Sequence, residues 1–235
     1  ESIEYLLESG FQPKRGIYIS FGHDEENSGV QGNAVVAESL KKRGIYFDYI
    51  LDEGSVITDG IISDISYPVA VIGIAEKGYL SLKLTSTHSS GHSSMPGKST
   101  TIGKLSRAIY SLERNQMSAK LTSPVKDFLL HIGPEMSLEN KFAISNMTLL
   151  SSSIITGLEE NPATDAMLRT TMAPTIISGG NKSNVLPSEA SVVVNFRIRQ
   201  GDSVKKVKEH VVNTINDGSI KVEVLDKSVY SEPSS

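Results

Sequence analysis

Tyr79-Leu80-Ser81-Leu82-Lys83-Leu84-Thr85-Ser86-Thr87 is the stretch on which the fold turns, because it reads as a strand and begins where the pattern of the chain changes, at Gly78. The expected order after it is a helix over 100–113, strands over 172–178 and 191–199, a helix over 203–215 and a strand over 220–225. That order, βαββαβ, is the ferredoxin-like plan, with two helices on one face of a four-stranded antiparallel sheet. Between its first helix and second strand lies a long segment, 115–169, interrupted by Pro124, Pro134 and Pro162. Short helices are expected there near 125–131 and 162–168, covering part of the sheet domain.

Upstream the pattern is different. Residues 2–9 read as the end of a helix, with Ile3, Leu6 and Leu7 at helical spacing and Gly10 as its stop. Arg15-Gly16-Ile17-Tyr18-Ile19-Ser20-Phe21 has the composition of a buried strand and runs into Gly22-His23-Asp24-Glu25-Glu26. A helix is expected over 33–42, closed by Gly44, then a strand over 46–51 that ends at Asp52-Glu53-Gly54. Another apolar strand is expected over 69–75, before Glu76-Lys77-Gly78 breaks it. This is a strand, helix, strand unit with carboxylates at both carboxyl ends, where open α/β sheets bind their ligands. The expected organisation is a partial α/β domain over 1–76, an inserted α+β domain over 77–225, and a segment over 226–235 returning towards the first.

Composition narrows the chemistry. The chain has 235 residues, 23 basic against 27 acidic, and a formal charge of −4 with no basic block, which gives no support for nucleic acid or a polybasic membrane patch. No apolar run approaches the roughly 20 residues of a spanning helix. There is no cysteine, so a metal would have to be held by His, Asp or Glu.

Three consecutive acids directly after an apolar strand repel one another unless they are solvated or a cation compensates them. Spacing alone leaves both readings of Asp24-Glu25-Glu26 open, a solvated acidic loop or part of a metal site. Asp52-Glu53-Gly54 taken by itself is a plain acidic turn.

The sequence resembles the zinc amidohydrolase and peptidase family of carboxypeptidase S, the N-acyl amino acid hydrolases and aminoacylase. The matching pieces are Pro13-Lys14-Arg15, GHDEE at 22–26, LDEG at 51–54, AEKG at 75–78, SSGHSSMP at 89–96, TTIG at 100–103, NPATDAMLRTT at 161–171, NVLP at 184–187 and VNFRI at 194–198. They run in family order along almost the whole chain. The resemblance implies a zinc-peptidase α/β catalytic domain, present in part, with an inserted ferredoxin-like lid through which such proteins form homodimers. It implies two zinc ions in the complete protein and a small peptide or N-acyl amino acid as substrate.

Roles follow from the same resemblance. Glu25 matches the general base and Glu26 a zinc ligand; a carboxylate bound to zinc is too electron-poor to be a good base, so the two tasks fall to separate acids. One further ligand is expected from Asp52 or Glu53, only one of which can face the metal if the pair lies on a strand; the match leans to Glu53. His92 matches a histidine that stabilises the oxyanion, often across a dimer interface. Asn184 and Arg197 match lid positions that hold the substrate carboxylate or carbonyl. Their plainer readings are a turn residue for Asn184 and a strand-face salt bridge for Arg197. His88, His131 and His210 read as surface histidines, and His23 sits in the motif without a ligand role.

The family pattern also contains an HxD histidine, a bridging aspartate and a late histidine, none of which occurs here. The expectation is therefore an internal piece with both flanks of the catalytic domain absent, weak in zinc and inactive alone. The rival expectation is a non-catalytic dimerisation or binding module with vestigial acidic tips.

Overall fold

A computed structural model of the chain describes residues 1–27, 29–54, 56–60, 62 and 64–225. The expected return segment, 226–235, lies outside the described residues. Two compact units divide between Glu53 and Gly54.

In the first unit, helices α1 (Ser2–Glu8) and α2 (Asn33–Lys42) end alike. Phe11 N donates to Leu6 O at 2.9 Å and Gly10 N to Leu7 O at 3.0 Å; Ile45 N donates to Leu40 O and Gly44 N to Lys41 O at 3.1 and 2.9 Å. Each pair is a Schellman closure, and it holds Gly10 and Gly44 at φ +82° and +68°, where a Cβ would be strained. The runs 15–21 and 46–51 are neighbours through an edge-on contact of Tyr18 with Phe47 (5.4 Å) and an ion pair of Arg15 with Asp48. Contrary to expectation, neither forms a ladder among the described residues. Strand formation requires backbone partners as well as local propensity, and only the second is visible in a short window.

The second unit runs β1 (Ile57–Thr58), β2 (Val69–Ala70), β3 (Gly78–Thr87), β4 (Gly91–His92), α3 (Thr101–Arg114), α4 (Ser123–Ile132), α5 (Leu138–Ser145), α6 (Met147–Glu159), α7 (Pro162–Leu168), β5 (Thr171–Gly179), β6 (Val185–Leu186), β7 (Glu189–Ile198), α8 (Val204–Ile215) and β8 (Ile220–Val224). The strand expected over 69–75 is reduced to β2, paired antiparallel with β1.

β3, β5, β7 and β8 form one antiparallel sheet in the order β5-β7-β3-β8. Counted within the expected six-element series, that is second, third, first, fourth strand, the ferredoxin-like order. Side chains alternate across the strands with a period of two. Leu80, Leu82 and Leu84 of β3 and Val192, Val194 and Phe196 of β7 therefore share one face, packed with Leu105, Ala108 and Leu112 of α3 and Val207 and Val211 of α8. Both helices start on side-chain caps: Thr100 Oγ1 accepts from Gly103 N at 3.0 Å and Ser203 Oγ from Lys206 N at 3.3 Å.

The segment between α3 and β5 holds four α-helices and a 3-10 turn, Gly133–Glu135, where two helices were expected. They enclose a core of their own, formed by Val125, Leu129 and Ile132 of α4, Ile144 of α5 and Leu168 of α7 with Ile65. The sequence signal for α6 is weak because Ser151-Ser152-Ser153 interrupts it, and in the structure no side chain caps its start and Leu150 bends it at φ −104°, ψ 15°. A buried network ties α7 to the sheet. Arg199 Nη2 and Thr170 Oγ1 donate to Asp202 Oδ2 at 3.0 and 2.8 Å, Arg199 Nη1 donates to Leu168 O, and Lys77 Nζ donates to Arg169 O at 2.8 Å. Among the described residues no helix is long and apolar enough to cross a membrane.

Candidate functional site

The first group of candidate residues lies on two loops of the first unit. Asp24 turns inward: its Oδ2 accepts from Gln31 N at 2.7 Å and its carbonyl from Gly29 N at 2.8 Å, closing the loop that leads into α2. Gly32 makes this possible, since a Cβ there would stand 2.2 Å from Asp24 Oδ1. Glu25 and Glu26 begin a single 3-10 turn, Glu25–Asn27, and both are exposed. The three acids thus divide into one that builds the loop and two whose carboxylates face solvent. On the other loop, Asp52 Oδ1 accepts from Glu53 N at 2.9 Å, and both residues are exposed. His23, the residue before Asp24, is exposed.

Among the described residues no three His, Asp or Glu side chains form a group that could hold a metal ion. Glu26 and the Asp52-Glu53 pair do not fit a complete metal site by themselves, whose closed form takes about four ligands.

The second group lies on an arm of the sheet domain. β3 and β7 stay in register as far as Thr87 and Glu189, and His88 N donates to Ser188 O at 2.8 Å just beyond. Pairing then resumes in β4 and β6, with Gly91 opposite Leu186 and His92 opposite Val185. Three residues, His88 to Ser90, face two, Pro187 and Ser188, so one extra residue bulges on the first strand. Thr101 Oγ1, at the start of α3, donates to Pro187 O at 2.9 Å and fastens the arm's base.

At the tip, Ser93 N donates to Asn184 O at 3.1 Å, which brings His92 and Asn184 together although 92 positions separate them in sequence. Both are exposed. His92 Nδ1 is engaged locally, 2.8 Å from Ser94 Oγ and 3.2 Å from Ser94 N, and Met95 N donates to His92 O to close the turn. Ser94 belongs to the matched motif, but spacing alone gave it no task.

Arg197 is elsewhere. It pairs with Tyr79 near the opposite end of β7, with its guanidinium 4.9 Å from the centre of the Tyr79 ring. Eight residues from Glu189 to Arg197 at about 3.3 Å each put them roughly 26 Å apart along the strand, and Asn184 lies beyond Glu189. His131 Nδ1 lies 2.7 Å from Asp127 O within α4, and His210 Nε2 lies 2.8 Å from Asn115 O, 95 positions away at the end of α3.

Comparison with known proteins adds family information. The family model described as peptidase dimerisation domain, M20_dimer, matches residues 74–223. N-fatty-acyl-amino acid synthase/hydrolase PM20D1 of Xenopus tropicalis is 40% identical over 227 residues, covering 96% of this chain and 44% of that protein. Probable carboxypeptidase S-like 2 of Dictyostelium discoideum is 41% identical over 237 residues, 99% of this chain and 45% of that protein. Carboxypeptidase S of Saccharomyces cerevisiae is 34% identical over 221 residues, 89% of this chain and 38% of that protein. The chain spans less than half the length of these curated relatives.

Proposed function

Because the chain belongs to the M20 peptidase family and contains its dimerisation domain, we propose that the complete protein is a zinc-dependent hydrolase of amide or peptide bonds in small peptides or N-acyl amino acids. In this reading residues 1–76 belong to the catalytic domain and 77–225 form the lid. Glu26 and either Asp52 or Glu53 supply part of a two-zinc site whose other ligands come from outside this chain. When bound, zinc supplies a polarised carbonyl and an acidified water. Glu25, with its carboxylate in solvent, accepts the proton of the attacking water and delivers it to the leaving amine.

The observation that carries the reading is the pairing of β4 with β6. It places His92, whose Nδ1 is engaged by Ser94, next to Asn184. A donor aimed at a developing oxyanion is worth roughly 3 kcal/mol. Asn184 holds the substrate carbonyl, and Arg197 holds its carboxylate with two parallel hydrogen bonds. Arg197 stands roughly 26 Å along β7 from Glu189, where the arm leaves the sheet, farther than a small substrate can span in one copy. Two copies can, if the arm of one reaches a centre served by the Arg197 of the other, which supports a homodimer made through the lid.

Glu25→Gln in the complete protein is the test. It keeps the shape and removes the base, so turnover is expected to fall by about 10²–10⁴-fold with the fold retained by circular dichroism. Unchanged turnover would remove the enzyme reading and leave a binding or dimerisation module. The 235-residue chain alone is expected to hold well under one equivalent of zinc and to hydrolyse nothing. Metal analysis returning near-stoichiometric zinc on it would contradict the incomplete-site reading.

A further inference from the structure

We propose that Ser94 is a positioning residue for His92, fixing the imidazole in the tautomer that carries its proton on Nε2. The inference rests on the hydrolase reading for its consequence in turnover, and on geometry alone for its content.

A backbone N–H can only donate. Ser94 N lies 3.2 Å from His92 Nδ1, so Nδ1 is the acceptor of that bond and carries no proton in the neutral ring. The hydroxyl adds a second contact to the same nitrogen: Ser94 Oγ is 2.8 Å away, and against an unprotonated Nδ1 it too must donate. Both bonds come from one residue two positions along the chain, inside a turn closed by Met95 N on His92 O at 3.1 Å. The adjacent Ser93 N is spent on Asn184 O, which holds the turn against the opposite strand. The ring therefore has one proton to offer, on Nε2. A histidine whose other nitrogen is occupied in this way has a defined donor, which an exposed imidazole otherwise lacks.

Hydroxyl removal separates this from a merely structural serine. In the 235-residue chain, imidazole ¹⁵N spectra at about pH 8.5, where imidazoles are neutral, read the tautomer directly. The expected wild-type pattern is an unprotonated Nδ1 and a protonated Nε2. Ser94→Ala keeps the backbone N–H on Nδ1 and removes only the hydroxyl, so it should move the two resonances part of the way towards each other, and Ser94→Thr, which keeps the hydroxyl, should restore them. A protonated Nδ1 in the wild type, or an Ala variant with an unchanged pattern, would overturn the proposal. In the complete protein, Ser94→Ala should lower kcat severalfold to about tenfold with KM little changed, the loss of one oriented hydrogen bond. Recovery in Ser94→Thr supports positioning, and equal loss in both variants argues against it. Should His92→Ala leave turnover untouched, the hydrolase role of this histidine fails, while the ¹⁵N result still decides what Ser94 does to the ring.

Discussion

The runs Arg15–Phe21 and Gly78–Thr87 carry similar local signals, short and rich in apolar residues, yet only the second is hydrogen-bonded on both sides. β3 has β7 along one edge and β8 along the other, and Leu80, Leu82 and Leu84 are fully buried. Ile17 and Ile19 are 59% and 58% exposed. The lid contains every partner its strands need; for the first run no partner strand occurs among the described residues. Strand propensity states what a segment can do, and burial depends on what meets it.

The sharpest way to break that contrast is to remove one apolar side chain from each region. Phe196→Ala should cost about 3–5 kcal/mol of lid stability in urea unfolding, because the ring is fully buried between the sheet and its helices. Ile17→Ala should stay within about 0.5 kcal/mol, as expected for a surface position. Comparable losses at the two sites would mean that the first unit buries Ile17 in solution, and the contrast would fall.

The same contrast explains what was legible in the sequence. The six elements of the βαββαβ series fall within about two residues of their expected bounds; its two helices start on side-chain caps, Thr100 and Ser203, and its strands find their partners in the chain. The acidic tips were legible as chemistry but not as geometry. That Asp24 folds inward depends on Gln31 N and on the room left by Gly32, neither of which has a signature in spacing. The β4–β6 ladder was not foreseen, since Gly91, Pro187 and the serines around them have little strand propensity. It forms because β3 and β7 already bring those segments together. His92 and Asn184 belong to separate motifs in the sequence, and their adjacency is a consequence of that long-range pairing.

Charge sharpens the comparison with a smaller effect. Burial pushes the Asp202 carboxyl up, but hydrogen bonds from Thr170 and Arg199, the Arg199 charge and Lys206 outweigh it and hold the group below the usual 3.8. A carboxyl with a depressed folded value stabilises the fold above its unfolded value and loses that contribution as pH falls through the folded one. Asp202→Asn should cost about 1.5–3 kcal/mol near neutrality, the range for a hydrogen bond to a charged group. The gap between the variant and the wild type should close as the pH is lowered from about 5 towards 2, read from urea midpoints at each pH. Arg15 and Asp48 form the counterpart in the first unit, with side chains 68% and 65% exposed, and solvent screens such a pair. Asp48→Asn should therefore leave the midpoints unchanged across the same range. A pH-dependent loss there equal to that at Asp202 would show the first unit to be as tightly packed as the lid, and the difference between the two regions would lie in hydrogen bonding alone.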